Sequence, residues 1–273
     1  MFTFLHSFHP ISVLLNIGPF TLHWYGLCLV LAITSAIIIS LKLSVWYKIN
    51  RNIILDLAIY LIIGGVLGAR LYEIFLEFPY YSTHLLSIFK IWEGGLAIHG
   101  AIIGGILTIY YFAKKNKLSL ISLTSLVVPG LALGQAIGRW GNWFNQELFG
   151  LPSDLAWSIP IEITHRPLAY IKYEYFQPTF LYESMGSLLI FLILFSLTYL
   201  WRKNLNFRHS QIITASYLLS YSVLRFSLEF IKIDVTPIFL GLRWPQIASL
   251  ITIIIAIILF ISAFRDTKKS KSL

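Results

Sequence analysis

The sequence predicts an all-α integral membrane protein with seven transmembrane helices, an N-terminus outside, a cytoplasmic C-terminus and a small extracytoplasmic cap. Three observations lead to this fold class. Hydrophobic residues make up 57% of the 273 residues and charged residues only 12%, about half the charged fraction of ordinary globular domains. Apolar runs of about 20 residues, the length of a membrane-spanning helix, recur along the chain. Lysine and arginine are concentrated in alternate connections between these runs.

Seven apolar segments have the length of a membrane span. They lie at about 24–44, 53–76, 94–113, 118–138, 181–201, 211–230 and 244–264. We expect helices because a helix satisfies its own backbone hydrogen bonds in lipid. No linker or low-complexity tract separates the segments. Residues 1–273 are therefore expected to form a single polytopic domain, with the connection at about 140–178 as its outer cap.

The basic residues set the direction of the spans. Clusters follow the first, third, fifth and seventh segments, whereas the other connections are acidic or mixed. The clustered residues are Lys42, Lys48 and Arg51; Lys114, Lys115 and Lys117; Arg202, Lys203 and Arg208; and Arg265, Lys268, Lys269 and Lys271. Such clusters stay on the cytoplasmic side, which places the N-terminus outside. The same clustering of the net charge of +9 argues against a nucleic-acid-binding surface.

Glycines four residues apart occur in three of the segments. They are Gly64 and Gly68, Gly100 and Gly104, and Gly130, Gly134 and Gly138. This spacing predicts helices that approach each other closely, and packing alone accounts for most of these glycines. Cys28 is the only cysteine, so no intramolecular disulfide can form.

With the direction assigned, polar residues of six segments fall at one level, near the outer surface. They are Tyr25, Arg70, Glu73, His99, Arg139, Tyr182, Glu183, Arg225 and Glu229. Ionisable groups inside a membrane are costly and usually face one another or a wet cavity. We therefore predict one outward-opening polar cavity. Within it, Tyr221, Arg225 and Glu229 are four residues apart, so Arg225 and Glu229 can pair on one helix face.

Two of these arginines, Arg139 and Arg225, are expected to bind an anion. The abundant local anion is a phospholipid phosphate, which arginine binds with two-pronged geometry. Two structural alternatives remain open: Arg225 and Glu229 can be an ordinary ion pair, and His99 can be a structural histidine. No H-E-x-x-H, G-x-S-x-G or Walker motif occurs, so neither a metal nor any other cofactor is predicted.

The stretch GRWGNWFNQELFG, from Gly138 to Gly150, resembles the signature of the prolipoprotein diacylglyceryl transferase family. The resemblance extends along essentially the whole chain. Further matching segments are HWYG at 23–26, GARLYE at 68–73, GGLAIHG at 94–100, QPTFLYES at 177–184 and YSVLRFSLEF at 221–230. Gln177 stands where relatives often have histidine, and Leu151 where they often have arginine, so a substrate-side role of position 177 does not carry over.

This resemblance implies transfer of the diacylglyceryl group of phosphatidylglycerol to the lipobox cysteine of a prolipoprotein. A thioether forms and glycerol 1-phosphate leaves, as the first step of bacterial lipoprotein maturation. The implied location is the bacterial cytoplasmic (inner) membrane, with the active site on the extracytoplasmic side. The implied partners are phosphatidylglycerol, other membrane lipids and prolipoprotein signal peptides with a lipobox cysteine, and no nucleic acid.

The resemblance also implies the site residues. Catalytic positions are His99, Arg225 and Tyr221. Positions implied to bind phosphatidylglycerol are Arg139, Asn142, Gly150, Tyr25, Glu147 and Arg70. Supporting positions are Glu229, Tyr182 and Glu183. The chemistry agrees, because a thiol with a pKa near 8.5 needs a base such as a histidine, and guanidinium groups stabilise a departing phosphate.

Two other classes of function stay open at the level of sequence. A lipid or anion transporter would use the same arginines, although we find no duplicated halves. An intramembrane peptidase is remote because no Ser–His or Asp–Asp arrangement is evident.

Overall fold

The computed structural model describes residues 2–18 and 20–270, and the side chains of 4–18 and 20–265. The described residues are mostly helical. The helices are α1 (Phe2–Ser7), α2 (Trp24–Ser44), α3 (Arg51–Leu76), α4 (Phe78–Thr83), α5 (Ile98–Lys115), α6 (Leu120–Phe144), α7 (Thr179–Trp201), α8 (Phe207–Leu228) and α9 (Trp244–Ser270). Short 3₁₀ turns lie at Leu85–Phe89, Ile91–Glu93, Ile163–His165 and Leu168–Tyr170.

Three short antiparallel hairpins accompany these helices. The strands are β1 (Val13–Ile17) with β2 (Phe20–His23), β3 (Ile159–Pro160) with β4 (Tyr175–Phe176), and β5 (Ile238–Phe239) with β6 (Leu242–Arg243). In the last hairpin Ile238 pairs with Arg243. Neither the hairpins nor the short helices α1 and α4 were predicted, because segments this short have no distinctive hydrophobic period.

Each of the seven predicted segments contains a long helix. The helix α5 begins later than predicted, because Gly94 and Gly95 have φ angles of 93° and 71° that are incompatible with a right-handed helix. The helix α6 continues past the predicted end to Phe144. Among the described residues, five helices are long and apolar enough to cross a membrane: α2, α3, α6, α7 and the Trp244–Arg265 part of α9.

The described chain divides into two compact units. The larger unit comprises Met1–Ile39 and Val127–Leu273, and the smaller unit comprises Ser40–Leu126. In the smaller unit α3 and α5 cross at their glycines. A Cβ atom added to Gly68 would lie 2.9 Å from the Cα of Gly104. The predicted close approach is therefore confirmed for this pair of helices, since no larger side chain fits between the backbones.

In the larger unit, α6 packs in the same way against the middle of α2. A Cβ on Gly130 would lie 2.6 Å from the carbonyl oxygen of Ala36, and one on Gly134 would lie 3.2 Å from that of Ala32. Gly138 differs, because a Cβ there would meet nothing within 4 Å. The prediction of close packing was wrong for Gly138, which lies one turn beyond the helix crossing.

The helices α6, α7 and α8 share an apolar core in the larger unit. Its buried members are Val128, Ala132, Ile190, Leu194, Ile213 and Tyr217. Burial of aliphatic side chains contributes about 25 cal/mol per Å² of area removed from water, and in a bilayer the corresponding gain comes mainly from close packing. This core fixes the three helices that carry the charged residues described below.

The connection between α6 and α7, residues 145–178, forms a folded layer with its own core. Leu5 of α1 packs there with Phe149, Ile159 and Phe176. The side chain of Gln146 joins the parts: its Nε2 donates to the carbonyl of Pro10 (2.9 Å) and its Oε1 accepts from the backbone N–H of Glu162 (2.7 Å). The N-terminal helix and the connection between α6 and α7 therefore hold each other in place.

Candidate active site

Charged side chains of α6, α7 and α8 meet in the larger unit. Arg139 of α6 forms an ion pair through Nη2 with Oε1 of Glu183 of α7. Arg225, in the last turn of α8, lies 3.0 Å through Nη1 from Oε2 of Glu229. The pairing of Arg225 with Glu229, predicted from their spacing, is confirmed. The pairing of Arg139 with Glu183 joins two helices and has no local sequence signal.

Each of the two glutamates has a second cationic partner. Lys232 Nζ lies 3.3 Å from Oε2 of Glu183, and Arg243 Nε lies 3.1 Å from Oε1 of Glu229. Both carboxylates are buried, with residue exposures of 1%. A buried carboxylate without a partner would be strongly destabilising, so two cations around each one are a stable arrangement.

This cluster carries more positive than negative charge. Four cations, Arg139, Arg225, Lys232 and Arg243, surround the two buried carboxylates. The side chains of Arg139 and Arg225 are each 22% exposed, whereas the carboxylates that hold them are 2% and 1% exposed. Each guanidinium is therefore anchored on its buried side and open on the other. A surplus of positive charge favours the approach of an anion.

Hydrogen bonding at the buried carboxylates is incomplete. Oε1 and Oε2 of Glu229, Oε1 of Glu183 and Nη1 of Arg225 are buried without a well-aligned hydrogen bond, although each lies within ion-pair distance of its partner. Of these four atoms only Arg225 Nη1 is a donor, because a carboxylate oxygen can only accept. The donors that an anion could reach are therefore those of the partly exposed guanidinium groups of Arg139 and Arg225.

The end of α6 brings Glu147 back to Asn142. Gln146 adopts a positive φ of 51°, and the backbone N–H of Glu147 donates to the carbonyl of Asn142 at 3.0 Å, which closes the helix as a Schellman motif. The Asn142 amide then donates to Oε1 of Glu147 at 2.7 Å, and Arg139 Nη1 donates to the Asn142 side-chain oxygen at 3.2 Å. Arg139, Asn142 and Glu147 thus form one hydrogen-bonded chain.

The tyrosines predicted at the site lie beside these groups. Tyr221, one turn before Arg225, has its hydroxyl next to the Arg139 guanidinium. Tyr25, 40% exposed, packs on Gly141, where a Cβ would lie only 2.9 Å from the tyrosine ring. Tyr182 accepts a hydrogen bond of 2.7 Å from Nε1 of Trp157. Tyr221 and Tyr25 therefore border the Arg139 chain, whereas Tyr182 is tied to the connection between α6 and α7.

At Gly150, the last residue of the polar stretch, three backbone segments meet: those of Gly150, Gln177 and Ile231. The N–H of Gly150 donates to the carbonyl of Gln177 at 2.9 Å, and the N–H of Leu151 donates to the carbonyl of Ile231 at 2.9 Å. A Cβ on Gly150 would lie 2.9 Å from that Ile231 oxygen and 3.0 Å from Gln177 Cβ. Only glycine fits here, and the contact fixes the segment that contains Lys232.

Lys232 and Arg243 were missed as site residues, because both fall in a connection where the sequence indicated only a mixed charge. Burial lowers the pKa of the Lys232 ammonium, Glu183 opposes this shift, and the positive charges of Arg225 and Arg139 add to it. The sequence offered one indication of this role, namely a lysine shortly after the Arg225–Glu229 pair. A lysine on the surface would give the same pattern, so the sequence could not identify Lys232 as buried.

In the smaller unit, Arg70 is saturated by backbone carbonyls. Its five N–H groups donate to the carbonyls of a single loop: Ile88 at 2.9 Å, Gly94 at 2.7 Å, Gly95 at 2.8 Å, Lys90 at 3.4 Å, and Ser87. The guanidinium also lies 5.1 Å from the ring of Tyr81. An arginine has five donors and no more. The geometry therefore favours a loop-organising role for Arg70 over the implied contact with lipid.

His99 follows that loop as the second residue of α5. Its side chain is exposed, and its ring centroid lies 6.0 Å from that of Tyr72. Gly94 and Gly95 provide the left-handed backbone that turns their carbonyls toward Arg70, and a Cβ on Gly95 would lie 2.6 Å from Arg70 Nη1. Arg70 thus fixes the chain leading to His99. Among residues 2–18 and 20–270, no three histidine, cysteine or acidic side chains form a metal-binding group.

The chain is similar to known proteins along most of its length. A family model described as prolipoprotein diacylglyceryl transferase matches residues 12–262. Relatives named phosphatidylglycerol–prolipoprotein diacylglyceryl transferase are similar over most of the chain. The protein from Synechococcus elongatus is 44% identical over 89% of this chain and 84% of its own length. Those from Synechocystis sp. and Nostoc sp. are 42% and 41% identical, over 90% and 88% of this chain and 87% and 85% of their own. This chain belongs to the prolipoprotein diacylglyceryl transferase family.

Proposed function

We propose that this chain transfers the diacylglyceryl group of phosphatidylglycerol to the lipobox cysteine of prolipoproteins. The observation that carries the proposal is the positively charged cluster of the larger unit, in which Arg139 and Arg225 are anchored by buried carboxylates and open on the other side. This arrangement suits a phosphate group. Relatives that carry the name of this activity support the same reading.

In the proposed reaction, the cysteine sulfur attacks the glycerol carbon that bears the phosphate ester. A C–S bond forms as the C–O bond breaks, the bonding electrons go to the phosphate oxygen, and glycerol 1-phosphate leaves. Arg139 binds the phosphate before reaction. Arg225, held by Glu229 at 3.0 Å, stabilises the charge that develops on the departing oxygen. Asn142, Glu147 and the hydroxyl of Tyr221 orient the head group.

The thiol must lose its proton for this attack, since the thiolate is the nucleophile. His99 accepts that proton in our proposal, because its side chain is exposed and histidine is the residue most often used as a general base. Arg70 acts indirectly: by holding the carbonyls of Gly94 and Gly95 it fixes the backbone before His99.

The test is incorporation of label from the diacylglyceryl group into a lipobox peptide. Purified protein in phosphatidylglycerol vesicles should convert the peptide to a thioether, whereas a peptide with serine in place of the lipobox cysteine should remain unmodified. Phosphatidylethanolamine vesicles test the dependence on the head group. Labelled lipid crossing the vesicle membrane without a thioether product would instead indicate the transporter.

For topology we propose seven spans, an outer N-terminus and an outward-opening site in the bacterial cytoplasmic membrane. The positions of lysine and arginine support this orientation. A cysteine introduced at 155–175, in a variant with Cys28 replaced by serine, should react with an impermeant reagent outside intact cells. A cysteine at 114–117 should react only after permeabilisation, and the opposite pattern would place the site on the cytoplasmic side.

A further inference from the structure

Lys232 is a buried cation that the proposed reaction does not use. It follows α8, its residue exposure is 6%, and its side chain is only 2% exposed. Taking an ammonium group out of water costs several kcal/mol unless a partner compensates. Its ion-pair partner in the described part of the chain is Oε2 of Glu183, at 3.3 Å.

Glu183 is shared between two cations through different oxygens. Oε1 faces Arg139 Nη2, and Oε2 faces Lys232 Nζ. The carboxylate therefore has a fixed direction, since a rotation that favoured one partner would weaken the other. Without Lys232, more of the negative charge of Glu183 would act on Arg139 and compete with a phosphate for the same guanidinium.

We propose that Lys232 is a positioning residue for phospholipid recognition, which acts on Arg139 through Glu183. By holding Oε2, it fixes the carboxylate that orients Arg139, and it takes up part of the negative charge that Arg139 would otherwise neutralise. The open side of Arg139 then keeps its positive charge for the phosphate. This inference rests on the proposed function, because it assigns Lys232 a part in binding the same lipid.

The backbone around Lys232 is built to hold this position. Its N–H donates to the carbonyl of Leu228 at 3.2 Å, and Lys232 forms an antiparallel bridge with Gly150. The neighbouring carbonyl of Ile231 accepts from the N–H of Leu151. The polar stretch that contains Arg139 thus ends by fixing Lys232, so two parts of the chain that are distant in sequence contribute to one arginine.

Arg243 differs from Lys232 because its guanidinium holds several groups of one loop together. In addition to its ion pair with the Glu229 carboxylate, Arg243 donates to the backbone carbonyls of Glu229 (3.0 Å), Lys232 (2.5 Å) and Asp234. It also donates to the hydroxyl of Thr236 (2.8 Å). Replacing Arg243 would release a whole loop. The side chain of Lys232 makes its ion pair with Glu183 alone among the described residues, so its replacement is the cleaner experiment.

The test compares Lys232→Met, which removes the charge, with Lys232→Arg, which keeps it. We measure KM for phosphatidylglycerol, kcat for thioether formation and the thermal midpoint in the same detergent. We expect Lys232→Met to raise KM by about thirtyfold to a hundredfold, at the lower end of the range for a broken buried charge pair, with a smaller change in kcat. Lys232→Arg should recover most of the affinity. Lys172→Met, at an exposed lysine of the connection between α6 and α7, controls for loss of one positive charge.

A second variant covers the case in which Lys232→Met does not fold. The double variant Lys232→Met with Glu183→Gln removes both members of the buried pair and leaves no uncompensated carboxylate. We expect it to fold and to have the same KM as Glu183→Gln alone, because Lys232 acts on Arg139 only through Glu183. A wild-type KM in Lys232→Met would overturn the inference, as would a further rise in KM when Lys232→Met is added to Glu183→Gln, or failure of Lys232→Arg to improve on Lys232→Met. If the wild-type protein forms no thioether, the proposed function fails instead.

Discussion

Replacing Gly150 by alanine tests how the polar stretch holds the site. The added Cβ would lie 2.9 Å from the carbonyl oxygen of Ile231, 3.0 Å from Gln177 Cβ and 3.0 Å from Thr179 Cγ2. None of these three atoms is the free end of a flexible side chain. A methyl group in such a space must displace at least one neighbouring segment.

The expected magnitude follows from overpacking, which costs about 1–3 kcal/mol in a well-packed interior. At roughly 2–4 °C per kcal/mol for domains of 150–250 residues, the thermal midpoint should fall by about 2–12 °C. Movement of Ile231 also moves Lys232, so KM for phosphatidylglycerol should rise in the Gly150→Ala protein that remains folded.

The assay is thermal unfolding of the purified proteins together with thioether formation in one detergent. Gly138→Ala is the matched control, because a Cβ there meets nothing within 4 Å and the position is helical. Alanine in a helix interior is more favourable than glycine by up to about 1 kcal/mol, so this midpoint should be unchanged or higher. An unchanged midpoint in Gly150→Ala, or equal losses in both variants, would refute the reasoning.

The remaining predictions concern individual site residues. Arg139→Lys should weaken binding of phosphatidylglycerol, because lysine lacks the two-pronged geometry, whereas Arg225→Lys should lower turnover more than lipid affinity. Paired binding and turnover assays check this, and a stability loss alone in Arg225→Lys would make that residue structural. His99→Gln should reduce the rate of thioether formation by about 10²–10⁴-fold while the lipid still binds, and near-normal rates would exclude His99 as the base. Arg70→Gln should lower the thermal midpoint, since it removes donors from up to five loop carbonyls, and an unchanged midpoint with weaker lipid binding would restore the lipid-contact role.

The sequence by itself determined where the long helices lie and which local pairs form. Apolar runs of span length became helices because burial in lipid and internal hydrogen bonding depend on consecutive residues. The Arg225–Glu229 pair and a close helix approach at glycines four residues apart were predictable for the same reason, whereas the pairing of α3 with α5 was not. Helical geometry alone places residues four apart on one face.

Only the tertiary structure decided how the charges are shared. Glu183 pairs with Arg139 and with Lys232, which are distant in sequence, and Arg243 reaches back to Glu229 from the next hairpin. The family resemblance implied that Arg70 contacts lipid, whereas only the tertiary structure shows that its guanidinium donates to loop carbonyls. These contacts follow from helix packing and from close backbone contacts at single residues such as Gly150, which no periodic pattern in the sequence indicates. A charged residue near a helix end looks the same in the sequence whether its side chain faces lipid or a buried carboxylate. The free energy of that charge depends on which segments fold around it, and only the tertiary structure determines those segments.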